Sequence, residues 1–209
     1  ISSALPVFGK LFVENNSIIT ISSSPTVQSQ VVIAEGSTLK TISGTTYCKL
    51  NMLSGSSVVV NGTIDVQNSA GLSCASCNST TGAVFNFAGT PNISFGLNSL
   101  IQYAKAGSQN IQPYNYQNLE ISGGTTKAII STGGISTMAY VSGKLSVLAG
   151  TTLITADLLT MRSDVNGTSR IGVSAGLISG NVTIERYISQ RKAWRLLAMP
   201  TQHNLQTIN

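Results

Sequence analysis

Charge is what this 209-residue chain has least of. Only 9% of its residues are charged, against about 25% in a typical globular domain. Acids number seven, and no two are closer in sequence than Asp157 and Asp164. This argues against the paired carboxylates on which polysaccharide hydrolysis and lyase chemistry depend. Histidine is limited to His203, which argues against a zinc site of four protein ligands. Aromatics make up 6%, too few for a clear stacking platform. No apolar run approaches the roughly 20 residues that span a bilayer, so direct membrane insertion is not expected. Helical periodicity is missing up to the last residues, and the abundant Ser, Thr, Asn and Gly are poor helix-interior residues.

The missing charges are replaced by uncharged polar residues and 20 glycines, while hydrophobic residues keep an ordinary 42% share. Disordered chains lack aliphatics and carry high net charge, so the chain is expected to fold. The net charge of +5 comes from scarce acids more than from dense bases. Six of the basic residues are spread thinly, Lys127 among them, and six crowd the C-terminal end. No basic stripe with interleaved aromatics points to nucleic acid.

A short apolar-x-apolar doublet recurs along the chain. It occurs as Leu11-Phe12-Val13, Leu50-Asn51-Met52, Ile64-Asp65-Val66 and Phe85-Asn86-Phe87, then as Leu119-Glu120-Ile121, Leu145-Ser146-Val147, Leu159-Thr160-Met161 and Val182-Thr183-Ile184. Side chains alternate faces along a strand, so each doublet puts two apolar groups on one side and its middle residue on the other. Turn formers such as Asn61-Gly62, Ser122-Gly123-Gly124 and Asn166-Gly167 separate the doublets. Such short strands predict an all-β fold, an irregular right-handed parallel β-solenoid (β-helix) whose coils stack to bury an aliphatic column. The spacing is too uneven for a strict short repeat. The rival architecture is a β-sandwich. The reading divides the chain into a solenoid over 1–180 and a basic, Trp-containing segment over 181–209 that leads to a following domain.

The second half carries a resemblance. Tyr116-Gln117-Asn118-Leu119-Glu120-Ile121-Ser122-Gly123, Asn181-Val182-Thr183-Ile184-Glu185-Arg186-Tyr187 and Ala193-Trp194-Arg195-Leu196-Leu197 resemble segments of large repetitive surface proteins of the Bacteroidota. Those proteins are adhesin-like and typically cargo of the type IX secretion system. The match covers residues 98–209, and the first half shares only the style of repeat. The resemblance implies a secreted, cell-surface location, a piece of a longer polypeptide and no defined activity.

Cys74-Ala75-Ser76-Cys77 has C-x-x-C spacing, and Cys48 stands apart. Redox catalysis needs the first thiol at a helix N-terminus, and here the motif lies among Gly, Ser and Asn. One structural disulfide with one thiol left over is the plainer reading. Cys74–Cys77 is the preferred pair, with Cys48 bonded to either as the alternative. Asp164-Val165-Asn166-Gly167 lacks the further ligands of a calcium loop and reads as a turn. The densest chemistry is the cluster Arg186, Tyr187, Arg191, Lys192, Trp194 and Arg195, read as an interface because Arg and Trp favour interfaces. No catalytic, cofactor-binding or metal-binding residue is assigned, and no enzyme activity is expected. The expected role is an extracellular structural and adhesive module, self-assembling into a filament or joined to adjacent domains. A carbohydrate-binding or carbohydrate-active β-helix, with surface glycans as partners, is the alternative. Ice binding by Thr arrays is disfavoured by the irregular pattern.

Overall fold

Each apolar-x-apolar doublet forms part of a strand, and its outer residues, the exposed Ile184 excepted, belong to or pack against one continuous core. The computed structural model describes residues 7–42, 48–75, 82–131 and 136–188. No helix occurs among them. Ile64-Asp65-Val66, Phe85-Asn86-Phe87 and Leu119-Glu120-Ile121 each bury the outer two residues and leave the middle one half-buried.

The described strands form four parallel sheets and one antiparallel pair. The first sheet runs Ile93–Phe95, Ser57–Val60, Thr26–Ile33, Leu50–Met52, Phe85–Phe87 and Ser73–Ala75, with Val7–Val13 also paired to Thr26–Ile33. It forks because Thr26–Ile33 is long. Its start pairs with Leu50–Met52 and its end with Ser57–Val60. The second sheet keeps strict sequence order: Ile18–Ile21, Thr38–Thr41, Thr63–Val66, Leu100–Tyr103, Asn118–Ile121, Lys144–Val147 and Arg170–Ile171. The third sheet holds Gln109–Ile111, Thr125–Ile129, Thr151–Ile154 and Leu177–Ser179. The fourth holds Asn115–Tyr116, Ala139–Val141, Leu159–Met161 and Val182–Ile184. Ser163–Asp164 and Gly167–Thr168 form a small hairpin on the surface.

Register in the second sheet is unbroken. Ile19, Leu39, Ile64, Ile101, Leu119, Leu145 and Ile171 lie one above another. Leu39 through Leu145 are fully buried, and each such side chain contributes roughly 1.5–3 kcal/mol relative to exposure. From Asn115 onward the chain visits the fourth, second and third sheets in that order, and repeats the circuit twice. Val182–Ile184, at the start of the segment expected to be a junction, pairs with Leu159–Met161 and continues the fourth sheet.

Tight corners require special residues. Gly62 stands where an added Cβ would collide with the carbonyl oxygens of Ala34 and Ser37 in the corner beneath. Asn15 and Asn16 hold left-handed backbone, with φ of 60° and 55°, a conformation Asn tolerates better than most residues. The rival sandwich is not met. Greek-key sandwiches pair strands antiparallel, and every described pair except the small hairpin is parallel. No helix of the described residues is long and apolar enough to cross a membrane.

Candidate functional site

The second sheet turns one column of polar residues outward. Lys40, Asp65, Gln102 and Glu120 occupy the same register position on four successive strands, and Ser146, next in the column, is buried. Each of the four lies between two buried, inward residues of its own strand, so the core pattern fixes where it points. Lys40 Nζ sits 2.8 Å from Asp65 Oδ2, and Gln67 Nε2 donates to Asp65 Oδ1 at 2.5 Å. One strand on, Gln102 Nε2 donates to Glu120 Oε1 at 3.0 Å. Asp65 and Glu120 are two strands apart, about 10 Å at the backbone from the usual strand spacing.

Asp65 and Glu120 are the two carboxylates brought onto one face. Carboxyl groups about 6.5–9.5 Å apart carry inverting glycoside hydrolysis. Here, however, one carboxylate is held by Lys40 and Gln67 and the other by Gln102. The column pairs donors with acceptors along the outer face of the sheet.

Other acids serve the backbone or its corners. Glu35 accepts from Asn98 Nδ2 at 2.9 Å, and Asp157 from the Asn181 N–H at 2.9 Å. Glu185 accepts from the Ser163 N–H at 3.3 Å. Asp164 accepts from the N–H groups of Asn166 and Gly167 at 2.7 and 3.2 Å, which closes the hairpin turn on itself. Among the described residues, no three His, Cys, Asp or Glu side chains are grouped to hold a metal ion. His203 lies outside them.

Of the three disulfide candidates, Cys48 is a free, buried thiol and Cys74 is disulfide-bonded. Cys77 lies outside the described residues. Of the interface candidates, Arg186 and Tyr187 are exposed, and the Tyr187 N–H donates to Ser163 Oγ at 3.0 Å. Arg191, Lys192, Trp194 and Arg195 lie outside the described residues. Arg162 stacks its guanidinium 4.0 Å from the centre of the Tyr140 ring.

Two buried polar groups escape a reading of the sequence. Lys127 sits in the inward column of the third sheet, in register with Gln109, Leu153 and Ile178, and is fully buried. Its Nζ donates to the carbonyl oxygens of Lys105 and Gly107. Burial, and then the charge of Lys105, lower its pKa from 10.5 to about 8. Tyr103, Tyr114 and Tyr116 form a second cluster around Phe95. The Tyr103 and Tyr116 hydroxyls lie 2.9 Å apart, and Tyr116 donates to the Gln112 carbonyl at 2.6 Å. Tyr114 shares a hydrogen bond with Ser73 Oγ. Burial raises all three pKa values, that of Tyr114 to about 12. The one sequence signal for this cluster is the spacing of Tyr114 and Tyr116, which puts two large rings on one face of an extended segment.

No protein family, curated protein or solved structure matches the chain. The class that the geometry itself defines is an all-β protein of parallel sheets around one apolar core. Its second sheet carries paired polar side chains outward, Lys40 with Asp65 and Gln102 with Glu120, and hydroxyl and amine groups are buried within.

Proposed function

We propose that the chain is a right-handed β-solenoid serving as a stiff structural and adhesive module of a larger extracellular bacterial surface protein. The observation that carries this reading is the second sheet, where seven strands follow sequence order with one apolar residue stacked on the next. Such a stack adds about 4.8 Å per strand and presents a long side wall whose backbone groups are already paired. Cys74 in a disulfide fits an oxidising compartment outside the cytosol. A surface covered by hydroxyls and amides rather than charges fits exposure outside the cell.

A second reading has its own support. The outward column of Lys40, Asp65, Gln102 and Glu120 supplies donors and acceptors at a spacing close to that of a sugar chain, so surface glycans are the ligands it suits. One experiment separates the two. The purified chain is imaged by negative-stain microscopy and assayed for retention on immobilised cells and on insoluble polysaccharides. The structural and adhesive reading expects elongated particles that bind cells equally well after Glu120→Gln and Asp65→Asn. Binding to polysaccharide lost in those variants selects the glycan reading. Round, isolated particles that bind neither surface would sink both.

A further inference from the structure

The apolar core meets two arginines at one place among the described residues. Ile171 and Ile184 stand at the same register positions as Leu145 and Met161 of the preceding strands. Leu145 is fully buried and Met161 is 3% exposed, whereas Ile171 is 42% and Ile184 37% exposed. Between them lies a cavity of about 300 Å³, within the lower range of small-molecule sites. Met161, Ile171 and Ile184 give it an apolar wall, and Arg170, Arg186 and Ser169 give it a polar one. The Glu185 N–H still pairs with the Met161 carbonyl at 2.9 Å, so the chain stays extended past Ile184. Arg186, two residues on, therefore shares the face of Ile184.

Charge narrows what such a cavity can hold. Neither guanidinium has a carboxylate partner among the described residues. The acids nearest them in sequence are engaged with backbone: Glu185 accepts from the Ser163 N–H, and Asp164 from the N–H groups of its own turn. Lys144, the register partner of Arg170, adds charge of the same sign. The two walls make opposite demands. Water hydrates the arginines and leaves the aliphatic wall uncovered. A plain hydrocarbon covers that wall and takes water from the guanidinium groups without replacing its hydrogen bonds. A cationic ligand is repelled. An apolar body with an anionic head satisfies both sides, because a carboxylate or phosphate takes charge-assisted, forked hydrogen bonds from arginine.

We propose that this cavity is a binding site for a single-chain anionic amphiphile, a carboxylate or phosphate head on a medium-length hydrocarbon tail. The tail lies against Met161, Ile171 and Ile184, and the head is held by Arg170 and Arg186. An apolar cavity of roughly 150 Å³ takes one benzene ring, so a hollow of twice that volume accepts a tail of about ten carbons. The site goes beyond the structural and adhesive reading and does not rest on it.

The test is an NMR titration of the full chain, labelled at its Ile and Met methyl groups. The probes are octanoate, decanoate and decyl phosphate, each below its micelle-forming concentration. The Met161, Ile171 and Ile184 methyl signals are expected to shift and to saturate. Each buried CH₂ tightens binding about fourfold, so decanoate is expected to bind about tenfold more tightly than octanoate. Arg170 and Arg186 are exposed, and Arg170→Gln and Arg186→Gln are expected to keep the melting temperature of the parent. Each is expected to weaken decanoate about tenfold. Decyltrimethylammonium, with the same tail and a cationic head, is expected not to bind there. Tighter binding of decyl phosphate or of decanoate names the head group, and either result supports the site. The proposal is overturned if the three methyl signals stay unmoved, or if shifts spread over the surface without saturating. Equal affinity for the cationic amphiphile, or arginine variants that bind as tightly as the parent, overturns it as well.

Discussion

Lys127 occupies a core position that its column neighbours Leu153 and Ile178 fill with aliphatic side chains. Its amine replaces a buried methyl group with a donor that serves two carbonyls, those of Lys105 and Gly107. Gly123 packs over the same turn, at φ +81° and against the carbonyl oxygens of Ala104 and Lys105, so a side chain there would displace the Lys105 carbonyl, one of the two that Lys127 satisfies. The folded pKa is about 8 and the ordinary value 10.5. Between those values the unfolded chain holds a proton that the folded chain has released. Stability therefore rises with pH across that window and carries the full penalty of charging below it. Lys127→Met is expected to abolish the rise. At neutral pH its net effect is small, because losing two hydrogen bonds, about 1–3 kcal/mol with the carbonyls unpaired, is set against relief of the buried charge. Urea denaturation at pH 7, 8, 9 and 10 checks it, and a variant whose stability still climbs from pH 8 to pH 10 would exclude Lys127 as the source.

At the scale of elements, the tyrosine cluster joins parts of the chain that no strand pairing joins. Ser73, on the last strand of the first sheet, meets Tyr114, which immediately precedes the first strand of the fourth. Gln112 accepts from the Leu72 N–H at 2.7 Å and donates to the Ala70 carbonyl. The cluster thus ties the edge strand of the first sheet to the segment that enters the fourth. Tyr116→Phe leaves the ring and removes the hydroxyl that contacts Tyr103 and donates to Gln112. We expect a loss of about 1–3 kcal/mol and a fall in Tm of several degrees. Raised pKa values also mean that the folded tyrosines keep protons that the unfolded chain releases above pH 10. Stability must then fall with pH above about 10, opposite in sign to the Lys127 window below it. Tyr116→Phe should flatten part of that alkaline fall, which a loss of packing alone would not do.

Much of this element structure was legible in the amino acids, and the remainder has a physical explanation. All eight doublets lie in strands, because alternation against one core forces that geometry wherever it occurs. The third sheet gave little signal, since Gln109 and Lys127 fill inward positions where a pattern reader looks for aliphatics. Ser146 and Thr160, the middle residues of two doublets, are also buried, so the surface is not marked by polarity alone. Asp65 and Glu120 are separated by 55 residues. Only the register of Thr63–Val66, Leu100–Tyr103 and Asn118–Ile121 places them on one face, and register between distant strands is not written in local spacing.

Over the whole molecule, each strand of the second sheet pairs only with its neighbours in that sheet, so its core column is a stack. Seven strands at the usual spacing make a column about 29 Å tall. Stability in such a stack is close to a sum of local terms and contacts between adjacent layers, so position along the column decides what a substitution costs. Leu119 lies inside it, fully buried between Ile101 and Leu145. Ile171 lies at its described end and is 42% exposed. Leu119→Ala should therefore cost about 2–5 kcal/mol. Ile171→Ala removes a similar side chain from a site with one covered face and should cost less than half as much. Local terms also predict where the damage appears. Amide exchange in Leu119→Ala should speed up in Leu100–Tyr103 and Lys144–Val147 before it does in Ile18–Ile21. In Ile171→Ala, faster exchange should be confined to Lys144–Val147 and the strands beyond it. If the two variants lose equal stability, and exchange rises evenly from Val7 to Ile184, the core unfolds as one indivisible unit and the layered account of its stability fails.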